Sequence, residues 1–111
     1  MALTSSIIGT TNTTIYTSTV SGSQTGNAIT CMMICNYGAA SANVTIYAVP
    51  NSGGSVGTPG NANIIINALT IPIGETVSLD QEKLVLSSND TIVAVSTVAT
   101  TLAITISTLP V

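Results

Sequence analysis

Few side chains in this 111-residue sequence have reactive chemistry to offer. Cys31 and Cys35 come first. On one extended strand they stand roughly 13 Å apart, beyond the about 7 Å between Cα atoms that a disulfide spans. There is no histidine and no second cysteine pair to complete a zinc site. Both are therefore expected to be free thiols buried as small hydrophobes, a use that fits a reducing compartment during assembly.

The acids are Glu75, Asp80, Glu82 and Asp90. Asp80 and Glu82 flank Gln81, and Asp90 lies in the next turn. Carboxylates can hold a hard cation, but this spacing is not that of a calcium loop. They are expected to be solvated turn acids that keep strand edges from pairing wrongly. Lys83 is then a surface cation beside Glu82 or Asp80, in a pair that is worth little when exposed. No metal, cofactor or catalytic residue is predicted.

Catalysis lacks a cast. Without histidine the usual base at neutral pH is missing, and serine or cysteine nucleophiles have no activator. A carboxylate pair can serve glycoside hydrolysis. Sugar clefts, however, carry aromatic platforms, and this chain has only Tyr16, Tyr37 and Tyr47, with no Trp or Phe. The chain reads as a non-enzyme, and the same shortage counts against a secreted sugar-binding module. One cation and a net charge of −3 exclude a basic nucleic-acid surface. The longest apolar region, residues 64–73, is interrupted by Asn67, Thr70 and Pro72 and is too short for a membrane helix. The first six residues, Met-Ala-Leu-Thr-Ser-Ser, have no basic or continuous apolar region of a signal peptide. The expectation is a protein kept in a cytoplasm or released with a particle.

The elements that would carry these residues are strands. Residues 28–37 include Ala-Ile-Thr-Cys-Met-Met-Ile-Cys, apolar on both parities, and predict a central strand buried on both faces. Further strands are predicted at 13–20, 43–50, 62–71, 76–80, 82–86, 91–98 and 102–109, with β-branched residues and punctuating turns. Residues 1–11 form either an arm that a neighbouring subunit ties down or an edge strand. Residues 51–61 hold Gly53, Gly54, Gly57 and Gly60 and predict the longest, most mobile loop. The fold class is all-β: one domain over residues 1–111, a β-sandwich of about eight short antiparallel strands in a Greek key. Immunoglobulin-like and jelly-roll orders both satisfy this pattern.

Charged residues are 5% of the chain, against a usual quarter, while 45% is hydrophobic. A soluble domain normally keeps itself dispersed with charge. So little charge implies that much of this surface packs against copies of itself or another protein.

Longer cadences carry a resemblance. Ile71-Pro72-Ile73-Gly74-Glu75-Thr76 leads into Val77-Ser78-Leu79-Asp80, then Lys83-Leu84-Val85-Leu86 and Asn89-Asp90-Thr91-Ile92-Val93-Ala94. Earlier come Thr14-Ile15-Tyr16-Thr17, Cys35-Asn36 and Val44-Thr45-Ile46-Tyr47-Ala48-Val49-Pro50. Across nearly the whole chain this resembles small virion structural proteins of tailed bacteriophages, marine and cyanobacterial phages included. The resemblance implies a capsid decoration (cement) protein on the virion surface, assembled in the host cytoplasm. It also implies a homo-oligomer, a trimer by preference, with the major capsid protein and other virion proteins as partners, and neither nucleic acid nor membrane. A tail, baseplate or neck component is the alternative. Residues 2–11 and 51–61 are the interface segments expected to order on contact.

Overall fold

Segments rich in Ile, Val and Thr become strands because branched side chains fit a pleated, half-buried surface. The computed structural model describes residues 2–79 and 84–111. Its strands are β1 (Ala2–Ile7), β2 (Thr13–Thr17), β3 (Asn27–Asn36), β4 (Ala42–Val49), β5 (Ile64–Ile71), β6 (Thr76–Leu79), β7 (Leu84–Leu86), β8 (Thr91–Ser96) and β9 (Leu102–Pro110). They pair antiparallel into two sheets. Sheet A runs β1-β9-β3, with β6 and β7 sharing the far side of β3. Sheet B runs β2-β8-β4-β5.

The pairs β1–β9, β2–β8, β3–β6/β7 and β4–β5 nest inside one another. The chain is thus one long hairpin with its tip between β4 and β5, rolled so that its strand pairs alternate between the sheets. That order is the jelly roll, which decides between the two sandwich topologies the sequence allows.

The core lies between the sheets. Ile29, Met32, Ile34, Leu102, Ile104 and Ile106 enter it from sheet A, and Ile15, Val44, Ile46, Ile71, Ile92 and Ala94 from sheet B. Two buried asparagines hold the ends of β3. Asn36 Nδ2 donates to the carbonyls of Ala40 and Ile71, both at 2.9 Å, and its Oδ1 accepts from Gly38 N at 3.0 Å. Asn27 Nδ2 donates to Ser18 Oγ and Thr19 O, both at 2.9 Å.

Several expectations need correction. β3 is buried on one face only. A register shift between Ile29 and Cys31 inserts an extra residue, so Ile29 and Met32 both face the core and Cys31, Met33 and Cys35 turn outward. In a two-layer sandwich each sheet keeps an outer face. The strand buried on both sides is β8, where Ile92, Val93 and Ala94 are all covered. Residues 2–7 form the edge strand that is one of the two alternatives the sequence leaves open. β2 ends at Thr17, and residues 61–63 form a 3-10 turn rather than the start of β5. In β5 the alternation breaks at Ala68, whose positive φ of 52° lets Ile66 and Leu69 both pack inward.

Candidate interaction surface

Among the described residues the chemistry-bearing side chains do not converge. Cys31 and Cys35 are free thiols on the outer face of sheet A, half-exposed instead of buried. Cys31 Sγ has Ser78 Oγ at 3.9 Å. Asp80, Glu82 and Lys83 lie outside the described residues. Glu75 is exposed in the turn before β6. Among the described residues no group of three potential metal ligands comes together.

Asp90 has a structural task that the solvated-acid expectation missed. Its Oδ1 accepts from Asn51 N at 2.7 Å and Asn51 Nδ2 at 3.0 Å, and its Oδ2 from Ser87 N at 2.8 Å. Asn89 Nδ2 adds a bond to Gly54 O at 2.7 Å. The turn before β8 thereby ties down the glycine-rich loop. Within that loop Ser52 and Ser55 exchange backbone bonds at 2.7 and 3.1 Å around Gly53 and Gly54. Both glycines have positive φ, 60° and 87°, as a two-residue hairpin turn requires. Gly57 then lies over Val49, and a side chain there would run into the carbonyl of Pro50. The first part of the loop is folded against the end of β4, with Gly57 over Val49. The sequence signal was the pair of serines bracketing Gly53-Gly54.

A cleft of about 400 Å³ opens where the sheets part between β5 and the β6/β7 edge. Ile29, Met32, Ile65, Ile66, Leu79 and Leu84 line it. Among the described residues its lining is six apolar side chains, which exclude water.

The surface with most to offer is the outer face of sheet A. Its register sets out the rows. Ile7, Ala103, Cys35 and Thr76 lie abreast, as do Ser5, Thr105, Met33 and Ser78. Leu3, Ser107 and Cys31 form the next row, and Leu109, Ala28 and Val85 the last. None of these residues is charged. Leu3 is 74% exposed and Val85 66%, and Ile7, Met33 and Leu109 are exposed as well. Large apolar side chains spread across one sheet face with no charge among its described residues make this face the candidate surface for association. Of the two segments expected to form interfaces, residues 2–11 border this face through β1, and residues 51–61 reach the other sheet where Gly57 lies over Val49.

No protein-family model matches the sequence, and neither does any curated protein. Among solved structures the chain is similar to a subunit of Bacillus endospore appendages, described as a novel family of disulfide-linked pili. The likeness covers 99% of this chain and 84% of the other, with a TM-score of 0.53 and 16% sequence identity. At that identity it is a likeness of fold, and the shared fold is a β-sandwich.

Proposed function

We propose that the protein is a non-enzymatic structural subunit that works through its surface, as a virion protein that clamps the head lattice of a tailed phage. The observation that carries this is the outer face of sheet A, uncharged and studded with Leu3, Ile7, Met33, Val85 and Leu109. Burying such a face gains roughly 25 cal/mol per Å² of apolar surface removed from water, and no charged group among its described residues has to be desolvated. A subunit of this kind stabilises an assembled state by binding it and not its parts. The phage resemblance supplies the particle and names the major capsid protein as partner.

The test is the copy number of this protein in purified particles, by quantitative mass spectrometry against the major capsid protein. A ratio near one supports the decoration role. A far lower ratio moves the protein to tail, baseplate or neck, and absence from particles removes the virion reading.

A second reading is a fibre subunit, supported by the likeness to a pilus protein and by two half-exposed cysteines on the associating face. Here Cys31 or Cys35 of one copy would join a cysteine of another under an external disulfide oxidant. Electron microscopy of the purified protein decides it. Filaments that dissolve with a thiol reductant, and that fail to form in the Cys31→Ser/Cys35→Ser variant, favour this reading over the first.

A further inference from the structure

Each sheet of an open sandwich has two edges, and a free edge offers a row of backbone N–H and C=O groups to any passing strand. Three of the four edges here are defended. β2 has a register shift between Thr14 and Tyr16. β5 has two shifts, and Ala68 lies in the left-handed region. The far edge of sheet A is divided between two short strands, β6 and β7. β1 has no such device. Its register with β9 runs unbroken from Ala2↔Thr108 to Ile7↔Ala103, and it contains no proline and no charge.

The ladder shows which groups of β1 are free. Ile8 N donates to Leu102 O at 2.9 Å, continuing the same register. Bonding direction alternates along an antiparallel strand. Thr4 and Ser6, with the parity of Ile8, therefore turn their backbone groups to β9. Leu3, Ser5 and Ile7 turn theirs to the open edge. The same three residues carry side chains on the outer face.

The geometry points to a second copy of this chain as the occupant, with β1 pairing to β1 antiparallel about a twofold axis through Ser5. In that register Ser5 faces Ser5, and Leu3 of each copy faces Ile7 of the other. These are the pairs whose free backbone groups can exchange bonds. The twofold also sets two exposed apolar side chains beside each other on the outer face, and Thr4 beside Ser6 on the inner. A one-residue slip would put outer residues opposite inner ones, and a two-residue slip gives up the Leu3–Ile7 matches. The strand is thus complementary to itself, as a twofold contact requires. Pairing joins the two A sheets into one continuous sheet. The inference rests on the reading of the chain as an assembling subunit. It replaces the trimer implied by the phage resemblance with a dimeric building block.

The test uses the full chain in a Cys31→Ser/Cys35→Ser background with Ser5→Cys or Leu3→Cys added. Oxidised glutathione converts two facing thiols to a disulfide and is itself reduced to glutathione. Facing residues of a bonded pair have Cα atoms about 5.5 Å apart, within disulfide reach. The two Leu3 residues are offset by four positions, roughly 13 Å along the strands, beyond it. Ser5→Cys is expected to run mostly as a dimer on a non-reducing gel and Leu3→Cys as a monomer. Light scattering of the parent chain under reductant separates the two levels of failure. If the parent assembles and Ser5→Cys cross-links no better than Leu3→Cys, or if the parent is a closed trimer, the β1 joint is overturned and the assembling-subunit reading stands. If the parent is monomeric and Ser5→Cys stays uncross-linked, both fall. Circular dichroism of each variant confirms that it is folded.

Discussion

The two sheets have equivalent inner faces and unlike outer ones. Neither sheet has a charged residue on its described strands, so charge does not separate them. Cover does. On sheet B, Thr45 Oγ1 accepts from Ala68 N at 3.1 Å, and Thr70 Oγ1 donates to Asn43 Oδ1 at 2.9 Å. Asn43 N donates to Thr97 Oγ1 at 2.9 Å, Val93 is buried between Thr14 and Tyr47, and Val49 lies under Gly57. Of the large exposed hydrophobics, sheet B's strands contribute Ile65, at its edge. Sheet A's strands contribute Leu3, Ile7, Met33, Val85 and Leu109. One sheet is covered by its own chain, and the other keeps its large apolar side chains exposed.

The largest expected effects test the half of this contrast that should be equal. Ile34 on β3 and Ile46 on β4 are both fully buried and face each other's sheet across the core. Replacing either with Ala removes apolar contact and leaves a cavity, so each should lose about 3 kcal/mol of stability in denaturant unfolding. A much smaller loss at Ile34 would mean that sheet A is loosely packed inside as well as bare outside.

Asn36→Ala comes next. It strands the Ile71 and Ala40 carbonyls and the Gly38 amide at a buried site. Since Ile71 belongs to β5 and Asn36 to β3, the variant cuts a hydrogen-bonded link between the sheets. The expected loss is about 2 kcal/mol, read by the same unfolding measurement. Asn36→Asp should not restore it, because a carboxylate cannot donate to two carbonyls.

The inner faces were legible in the sequence, and the outer ones were not. Alternation in residues 43–50 and 102–109 put Val44, Ile46, Ile104 and Ile106 on one side each, which is enough to give strands, a sandwich and most of its core. Periodicity failed where the backbone adds a residue. The extra residue in β3 and the left-handed Ala68 in β5 each shift parity in mid-strand, and nothing local in Ile29-Thr30-Cys31 or Asn67-Ala68-Leu69 announces that. The candidate surface was legible only as a deficit of charge. Its location depends on which strand of each sheet ends up beside which, a property of the rolled hairpin and not of any one segment. The Asp90 clamp was hidden for the same reason: its partner Asn51 is 39 residues away.

A third expectation concerns β8, the centre of sheet B. Thr91 is buried, and its Oγ1 has no hydrogen-bond partner among the described residues. Thr91→Val keeps the shape and removes a hydroxyl that was desolvated without compensation. It should raise stability by about 1 kcal/mol, seen as a higher denaturant midpoint with an unchanged slope. An unchanged midpoint would mean that the hydroxyl is satisfied in solution.

The smallest change in folding stability should go with the largest change in behaviour. Met33→Lys places a charge in the middle of sheet A's outer face, where its flexible stem reaches water. The isolated subunit should lose no more than about 0.5 kcal/mol, as surface substitutions usually do. Thr45→Lys, at the matching place on sheet B, removes the acceptor of the Ala68 amide and should lose about 1 kcal/mol. If the bare face is the one that associates, light scattering should show Met33→Lys dissociated and Thr45→Lys assembled, the reverse of their order in stability. Dissociation by both variants would spread association over both faces. Dissociation by Thr45→Lys alone would reverse the assignment and make sheet B's hydrogen-bonded surface the contact.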